Sequence, residues 1–153
     1  MPDLQRGAGL SIHYHIDDFT DPWVESPMLL LQHGNGRSGH FWYRWVPLLA
    51  GHFKVVRPDM RGLGRSTRPA DLERSLTLDS LVGDLVGLLD HLDVERVHYC
   101  GESMGGITRM HPALAAQLLG DAPLRNSIDD GRNNFKPTPI RSPQRAPQQP
   151  VSS

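Results

Sequence analysis

Hydrophobic and polar residues follow different patterns along the first third of the chain. Residues 10–16 alternate apolar and polar side chains, which predicts a half-buried, edge-like strand near the start of the chain. Residues 28–31 form a continuous apolar run, as expected for a central strand buried on both faces. Residues 40–49 carry apolar side chains at near-helical spacing, and residues 53–56 form another strand before Pro58. The predicted order is therefore strand, strand, helix, strand.

The same alternation continues through the middle of the chain. Thr77 is placed to cap a helix whose leucine stripe runs to about His91. Residues 94–100 then predict a strand, which Gly101 ends just before a helix that begins near Met104. Strands that alternate with helices predict an α/β fold with a doubly wound, mostly parallel sheet.

Composition and charge narrow the range of partners. The chain has 153 residues, of which 38% are hydrophobic, and a formal net charge of −1, so no strong field attracts nucleic acid or an anionic membrane. The longest apolar run, residues 28–31, is too short to cross a bilayer, so no membrane partner is expected. The first residues lack the apolar stretch of a secretory signal, and we therefore expect a cytoplasmic protein.

The end of the chain differs in composition from the rest. Residues 132–153 hold four basic residues, no acidic residue and five of the 13 prolines. Such a segment has few large apolar side chains with which to offset its ordering entropy. We therefore predict a folded domain over residues 1–131 and a disordered, basic, proline-rich tail over residues 132–153.

A candidate nucleophile follows the last predicted strand. Gly101, Glu102, Ser103, Met104 and Gly105 match the G-x-S-x-G nucleophile elbow, a turn so tight that glycines must flank the serine. Ser103 would be the exposed nucleophile, and the Met104 N–H would face the oxyanion that develops during acyl transfer. Glu102 either tunes substrate contacts or has a structural role. A plain turn is the alternative interpretation of the motif.

Two glycine-containing loops accompany this motif. His33, Gly34, Asn35 and Gly36 follow the central strand, where a serine hydrolase needs a second oxyanion donor, and we assign that donor to the Asn35 N–H. His33 and Gly34, together with the elbow glycines, are predicted to support the site. The sequence DMRGLGRS at residues 59–66 is interpreted as a structural turn that holds neighbouring loops in place.

With these three motifs in this order, residues 10–108 resemble the α/β-hydrolase superfamily of serine esterases and lactonases. The resemblance implies a sheet with the nucleophile Ser103 after its fifth strand, an oxyanion hole formed by Asn35 and Met104, and a small ester or lactone substrate. It implies no cofactor. Serine at this position argues against the haloalkane dehalogenase and epoxide hydrolase branches, in which the nucleophile is an aspartate.

The sequence departs from the family pattern after Arg109. The family takes its acid and then its histidine from later strands, but His111 and Pro112 interrupt the expected helix, and residues 113–119 form at most a short one. His111 is the only histidine after Ser103, and it lies about 12 Å along a helix axis, too far to act as its base. Asp121, Asp129 and Asp130 are the acids that follow.

These departures keep two functional classes open. We interpret the chain as truncated or frameshifted after about residue 108, which predicts impaired activity and an open sheet edge. The first class is a hydrolase by lineage with little turnover. The second is a non-catalytic remnant or binding module that self-associates through that edge.

A rival interpretation is dinucleotide binding. Gly34, Gly36 and Gly39 form a G-x-G-x-x-G motif after a strand, and Asp59 lies 20 residues beyond the last glycine. Three features argue against an oxidoreductase: His33 precedes the first glycine, three aromatic residues follow the motif where small ones are needed, and the serine motif goes unexplained.

Two other reactive side-chain types have ordinary explanations. His13 and His15 lie on one face of a strand, but no third ligand is paired with them, so we expect an exposed strand face and no metal. Cys100 is the single cysteine, which excludes an internal disulfide, and it is predicted to be a small core residue.

Overall fold

The computed structural model describes residues 3–7 and 9–118, which form a five-stranded sheet with helices on both faces. The strands are β1 (Asp3–Gln5), β2 (Ser11–Asp17), β3 (Met28–Gln32), β4 (Lys54–Pro58) and β5 (His98–Gly101). The helices are a 3-10 helix (Gly39–Trp42), α1 (Val46–Leu49), α2 (Leu72–Ser75), α3 (Leu78–His91), α4 (Met104–Thr108) and α5 (Pro112–Ala115). The predicted tail and Asp121, Asp129 and Asp130 lie outside the described residues.

The sheet is mixed, and its strand order is β1-β2-β4-β3-β5. β3 pairs in parallel with β4 and β5, whereas β2 is antiparallel to β1 and β4. The predicted α/β fold class is confirmed. The prediction that residues 10–16 form an edge strand is wrong, because Asp3 to Gln5 pair with the outer side of β2. Three residues are too few to show a strand period, so β1 was not predicted.

Side chains from alternate positions of β3 are buried on opposite faces. Leu29 and Leu31 pack with Trp42 and Val46 of the helical layer on one face, while Leu30 packs with α3 on the other. A third cluster joins β1, β2 and β4 to α3; its buried members are Leu4, Ile12, Tyr14, Val56 and Leu88. The sheet is therefore covered on both faces, as the predicted doubly wound arrangement requires.

The helical segments follow the sequence pattern only in part. α3 begins as predicted, since the Thr77 hydroxyl accepts a 3.1 Å hydrogen bond from the Ser80 N–H. The single helix predicted over residues 40–49 is wrong. Pro47 has no N–H to donate to the Tyr43 carbonyl, and the segment divides into the 3-10 helix and the short α1.

The strand predicted over residues 94–100 begins later, at His98. The Val94 N–H donates to the Leu89 carbonyl at 2.9 Å, and the Asp93 N–H donates to the Asp90 carbonyl at 3.1 Å. Asp93 has a φ of +54°, so the two bonds form a Schellman motif with an aspartate at the position that glycine usually takes. The first residue of the predicted strand therefore belongs to the end of α3.

β5 is the last described strand of the sheet, and its start has a partial partner. The Val97 N–H donates to the Gln117 carbonyl at 2.8 Å, and Val97 and Leu118 form an isolated parallel bridge. Cys100 is exposed, so its predicted burial is wrong: it lies on β5, which no further strand flanks among the described residues. Self-association through this edge stays a prediction.

Candidate active site

Ser103 occupies a sharp turn between β5 and α4, with its side chain exposed. Its φ of +53° and ψ of −116° are unfavourable for a residue with a Cβ, and such strain collects at functional sites. A Cβ on Gly101 would collide with the backbone of Gly105 and Gly106, and a Cβ on Gly105 would collide with the Gln32 carbonyl. The turn therefore requires the glycines that flank the serine.

The backbone N–H groups of Asn35 and Met104 have no hydrogen-bond acceptor among the described residues. At the start of α4 the Gly105 N–H donates to the Glu102 carbonyl, and the Gly106 and Ile107 N–H groups donate to the Ser103 carbonyl. The Met104 N–H is thus left unsatisfied at a helix start, where the backbone favours negative charge.

The loop after β3 lies directly against the serine turn. A Cβ built on Gly34 would be 2.9 Å from the Ser103 Cβ, so only a glycine permits this approach. The Gly34 N–H donates to Glu102 Oε2 at 3.0 Å. Asn35, the next residue, is exposed. The carboxylate before Ser103 therefore fixes the backbone of the predicted oxyanion loop, a role that the sequence left open.

His33 connects this loop to the next one and is fully buried. Its Nε2 accepts a 2.9 Å hydrogen bond from the Met60 N–H, so the ring proton is on Nδ1, which donates to the Gly34 carbonyl at 2.7 Å. Burial lowers the pKa of His33 below its usual value. With both ring nitrogens engaged and the ring held neutral, His33 supports the loop and is not available as a base.

The turn at residues 59–66 is tied down by a buried carboxylate. Asp59 accepts hydrogen bonds from the N–H groups of Gly39, at 2.6 Å, and Arg65, at 2.8 Å. A Cβ on Gly64 would collide with this carboxylate. The geometry argues against a dinucleotide site, because Asp59 is occupied by protein groups and the helix after Gly39 has a single 3-10 turn.

Sequence reasoning missed the ion pair that fastens this turn to α3. The Arg61 Nε and Nη2 atoms each lie 2.7 Å from an oxygen of Asp84, and the guanidinium also reaches two carbonyls near the start of α3 at 3.2 Å. Arg6 adds a third charge, 3.5 Å from Asp84. The sequence did contain a sign of this ion pair, because the charged residue Asp84 falls on the apolar stripe of α3 between Leu81 and Leu88.

His111 is also engaged away from Ser103. Its Nε2 lies 3.0 Å from Asp79 Oδ1, and its Nδ1 accepts a hydrogen bond from the Ala113 N–H at the start of α5. These contacts cap α5 and connect it to the first turn of α3. Neither His33 nor His111 is therefore placed to take the Ser103 proton.

His13 and His15 pack edge to face, with ring centroids 4.9 Å apart, and His15 packs in the same way against His40. The expected exposed strand face is wrong, because His13 is buried and its Nδ1 lies 2.7 Å from an Asp3 carboxylate oxygen on β1. Over residues 3–7 and 9–118, no three histidine, cysteine or acidic side chains have an arrangement that could hold a metal ion.

Two histidines with lowered pKa values make the fold sensitive to acid. Burial lowers the pKa of both His15 and His33 below the usual 6.5, and the Arg57 charge lowers that of His15 further. Below pH 6.5 these two histidines bind more protons in the unfolded chain than in the folded chain, so their contribution to stability should fall with the pH in this range. We expect a lower urea midpoint at pH 5.5 than at pH 7.5. The variant His15→Gln should weaken this dependence, and an equal or higher midpoint at pH 5.5 would contradict the assignment.

Comparisons with known proteins agree with this fold. The family model described as alpha/beta hydrolase fold matches residues 27–121. An enol-lactonase from Burkholderia xenovorans has a similar structure, with a TM-score of 0.67 and 33% identity over 76% of this chain and 44% of that one. In the described part of the chain, no helix has the length and apolar character needed to cross a membrane.

Two protein relatives extend the comparison. The 2-hydroxymuconate semialdehyde hydrolase of a Pseudomonas species is 34% identical over 143 residues, which cover 85% of this chain and 48% of that protein. RutD of Agrobacterium fabrum, provisionally named a carbamate hydrolase, is 29% identical over 72% of this chain and 41% of its own length. This chain spans less than half the length of each of the three relatives. On the family match, it belongs to the alpha/beta hydrolase superfamily.

Proposed function

We propose that this chain carries the nucleophile and oxyanion loop of a serine hydrolase that acts on carboxylic esters or lactones. The observation that carries the proposal is the strained, exposed turn at Ser103, with the unsatisfied N–H groups of Met104 and Asn35 beside it. The Ser103 hydroxyl attacks the substrate carbonyl, and these donors stabilise the negative charge that develops on its oxygen.

The proposal needs a base and an acid in addition to Ser103. A base must lie within hydrogen-bond reach of the serine hydroxyl, and both His33 and His111 are engaged elsewhere. The donors alone retain part of the catalytic power of such a site, since serine hydrolases without their triad still exceed the rate in water by about 10³–10⁴-fold. We therefore propose impaired turnover for a chain in which no base reaches Ser103.

The names of the relatives support hydrolysis in general and do not select one bond. They include an enol-lactonase, a semialdehyde hydrolase and an epoxide hydrolase of Mycobacterium tuberculosis. We favour ester or lactone substrates because the residue in the turn is a serine, which forms an acyl-enzyme, and not the aspartate of the epoxide hydrolase branch.

Labelling with a fluorophosphonate tests the proposal without requiring full turnover. We expect the folded chain to be modified at Ser103, as located by peptide mass spectrometry, and the urea-unfolded chain to be modified far more slowly. Ser80, whose backbone N–H is bound to Thr77, serves as an internal reference for an ordinary hydroxyl. Equal labelling of Ser103 and Ser80, or equal labelling of the folded and unfolded chains, would contradict the proposal.

A further inference from the structure

Arg37 lies two residues after Asn35, on the loop that the proposed function assigns to oxyanion stabilisation. Its side chain is 49% exposed, and its Nε lies 3.6 Å from Glu102 Oε2. We propose that Arg37 is a specificity-determining residue that binds an ionised carboxylate of the substrate, so that the substrates are esters or lactones with a second acidic group. This inference rests on the proposed acyl transfer at Ser103.

The position of Arg37 follows from two contacts that lead to the nucleophile. Glu102 immediately precedes Ser103, and its Oε2 accepts the Gly34 N–H and faces the Arg37 guanidinium. Gly34 in turn lies against the Ser103 Cβ. The cation is therefore held beside the serine turn by the same carboxylate that positions the oxyanion loop.

The Arg37 guanidinium is also available to a ligand. It makes no hydrogen bond with the described residues, because its approach to Glu102 is an ion pair beyond hydrogen-bond distance. Its N–H groups form a planar fork that matches a carboxylate in two parallel hydrogen bonds. Glu102 alone would repel an acidic substrate, and the neighbouring arginine offsets that charge. The local electrostatics therefore suit an anionic substrate only while Arg37 is present.

An aromatic ring orients this side chain. The guanidinium carbon of Arg37 lies 4.2 Å from the centroid of the Phe41 ring, within the range of a cation–π contact. An arginine that is already held pays less conformational entropy on binding a ligand. Arg44 provides a contrast: it is exposed, 6.0 Å from the Tyr43 ring centroid, and has no carboxylate partner among the described residues.

The first experiment compares two substrates that differ in charge, p-nitrophenyl acetate and mono-p-nitrophenyl succinate. For Arg37→Gln we expect KM for the succinate ester to rise about tenfold, as for the loss of a charge-assisted contact, while the acetate changes less than about twofold. Sodium chloride at 0.5 M should reduce the wild-type preference, since salt screens the exposed pair. Arg44→Gln is the matched control and should leave KM unchanged for both esters.

A binding experiment separates this inference from the proposed function. Monomethyl succinate is titrated into Ser103→Ala, followed by ¹H–¹⁵N chemical shifts, with dimethyl succinate as the neutral control. We expect the acid to bind better than the diester, and the difference to disappear when Arg37→Gln is added. If the acid binds through Arg37 but fluorophosphonate does not label Ser103 in preference to Ser80, the anion site stands and the proposed function fails. If hydrolysis depends on Ser103 but Arg37→Gln affects both esters equally, or neither, the inference fails and the proposed function stands.

Discussion

Replacement of Asp84 by alanine is expected to lower the free energy of unfolding by about 3–5 kcal/mol, the range for breaking a buried ion pair on one side. The side chain of Asp84 is 6% exposed and that of Arg61 is 12% exposed, so the variant leaves the guanidinium in the protein interior without its counter-ion. Arg6 loses its carboxylate partner as well. Urea unfolding at pH 7.5, followed by circular dichroism, measures the difference.

The control lies on the same helix. Asp90 is exposed near the end of α3, where a substitution by alanine should change stability by no more than about 0.5 kcal/mol. Asp84→Asn keeps the shape of the side chain and two polar atoms. Its loss of stability should therefore lie between those of Asp84→Ala and Asp90→Ala. A loss of less than about 1 kcal/mol in the free energy of unfolding of Asp84→Ala would mean that Arg61 is hydrated or paired with another group. The ion pair would then not be the contact that fixes the turn.

The reach of this pair extends to the proposed active site. Arg61 belongs to the same turn as Met60. The Met60 N–H donates a hydrogen bond to His33, and His33 donates one to the Gly34 carbonyl. Asp59 of the same turn accepts a hydrogen bond from the Gly39 N–H at the far end of the loop after β3. Buried hydrogen bonds of this kind fix a loop more firmly than surface contacts, because leaving any of these groups unpaired is costly. The turn therefore fixes both ends of the loop after β3 through hydrogen bonds.

The elements that the sequence predicted well are those with a local signature. β3 is a continuous apolar run, α3 has a stripe and a capping threonine, and the turn at Ser103 has its flanking glycines. The elements that were predicted wrongly contain single residues that change the local backbone. Pro47 divides a segment whose apolar spacing is helical, and Asp93 takes a left-handed conformation that a pattern of hydrophobic residues does not report.

The partners of the candidate site residues could not be predicted from the sequence. The Gly34–Glu102 hydrogen bond joins residues 68 positions apart, and the His33–Met60 hydrogen bond joins residues 27 positions apart. A motif specifies which residue types a turn needs, but the side chain that satisfies its backbone comes from whichever strand the topology brings alongside. The role of Glu102 in fixing the loop after β3 therefore became visible only in three dimensions.

Gly34→Ala is expected to have the largest effect on the chemistry at Ser103. The added Cβ would lie 2.9 Å from the Ser103 Cβ and 3.1 Å from the Glu102 carbonyl oxygen, and it would overlap the Glu102 carboxylate. The loop must move away to relieve these contacts, which withdraws the Asn35 N–H from the proposed oxyanion site. Loss of one such donor costs about 10²–10³-fold in rate, so fluorophosphonate labelling of Ser103 should slow by about that factor.

Gly51→Ala is the matched control for this substitution. A Cβ on Gly51 would meet no atom within 4 Å, and Gly51 lies in the connection between α1 and β4, with an ordinary φ. The control should therefore label at the wild-type rate. Gly34→Ala should also lose about 1–3 kcal/mol of stability through overpacking, so both variants are compared at a temperature where circular dichroism shows each to be folded. A folded Gly34→Ala that labels as fast as wild type would mean that Asn35 does not serve the oxyanion, and that Met104 alone does.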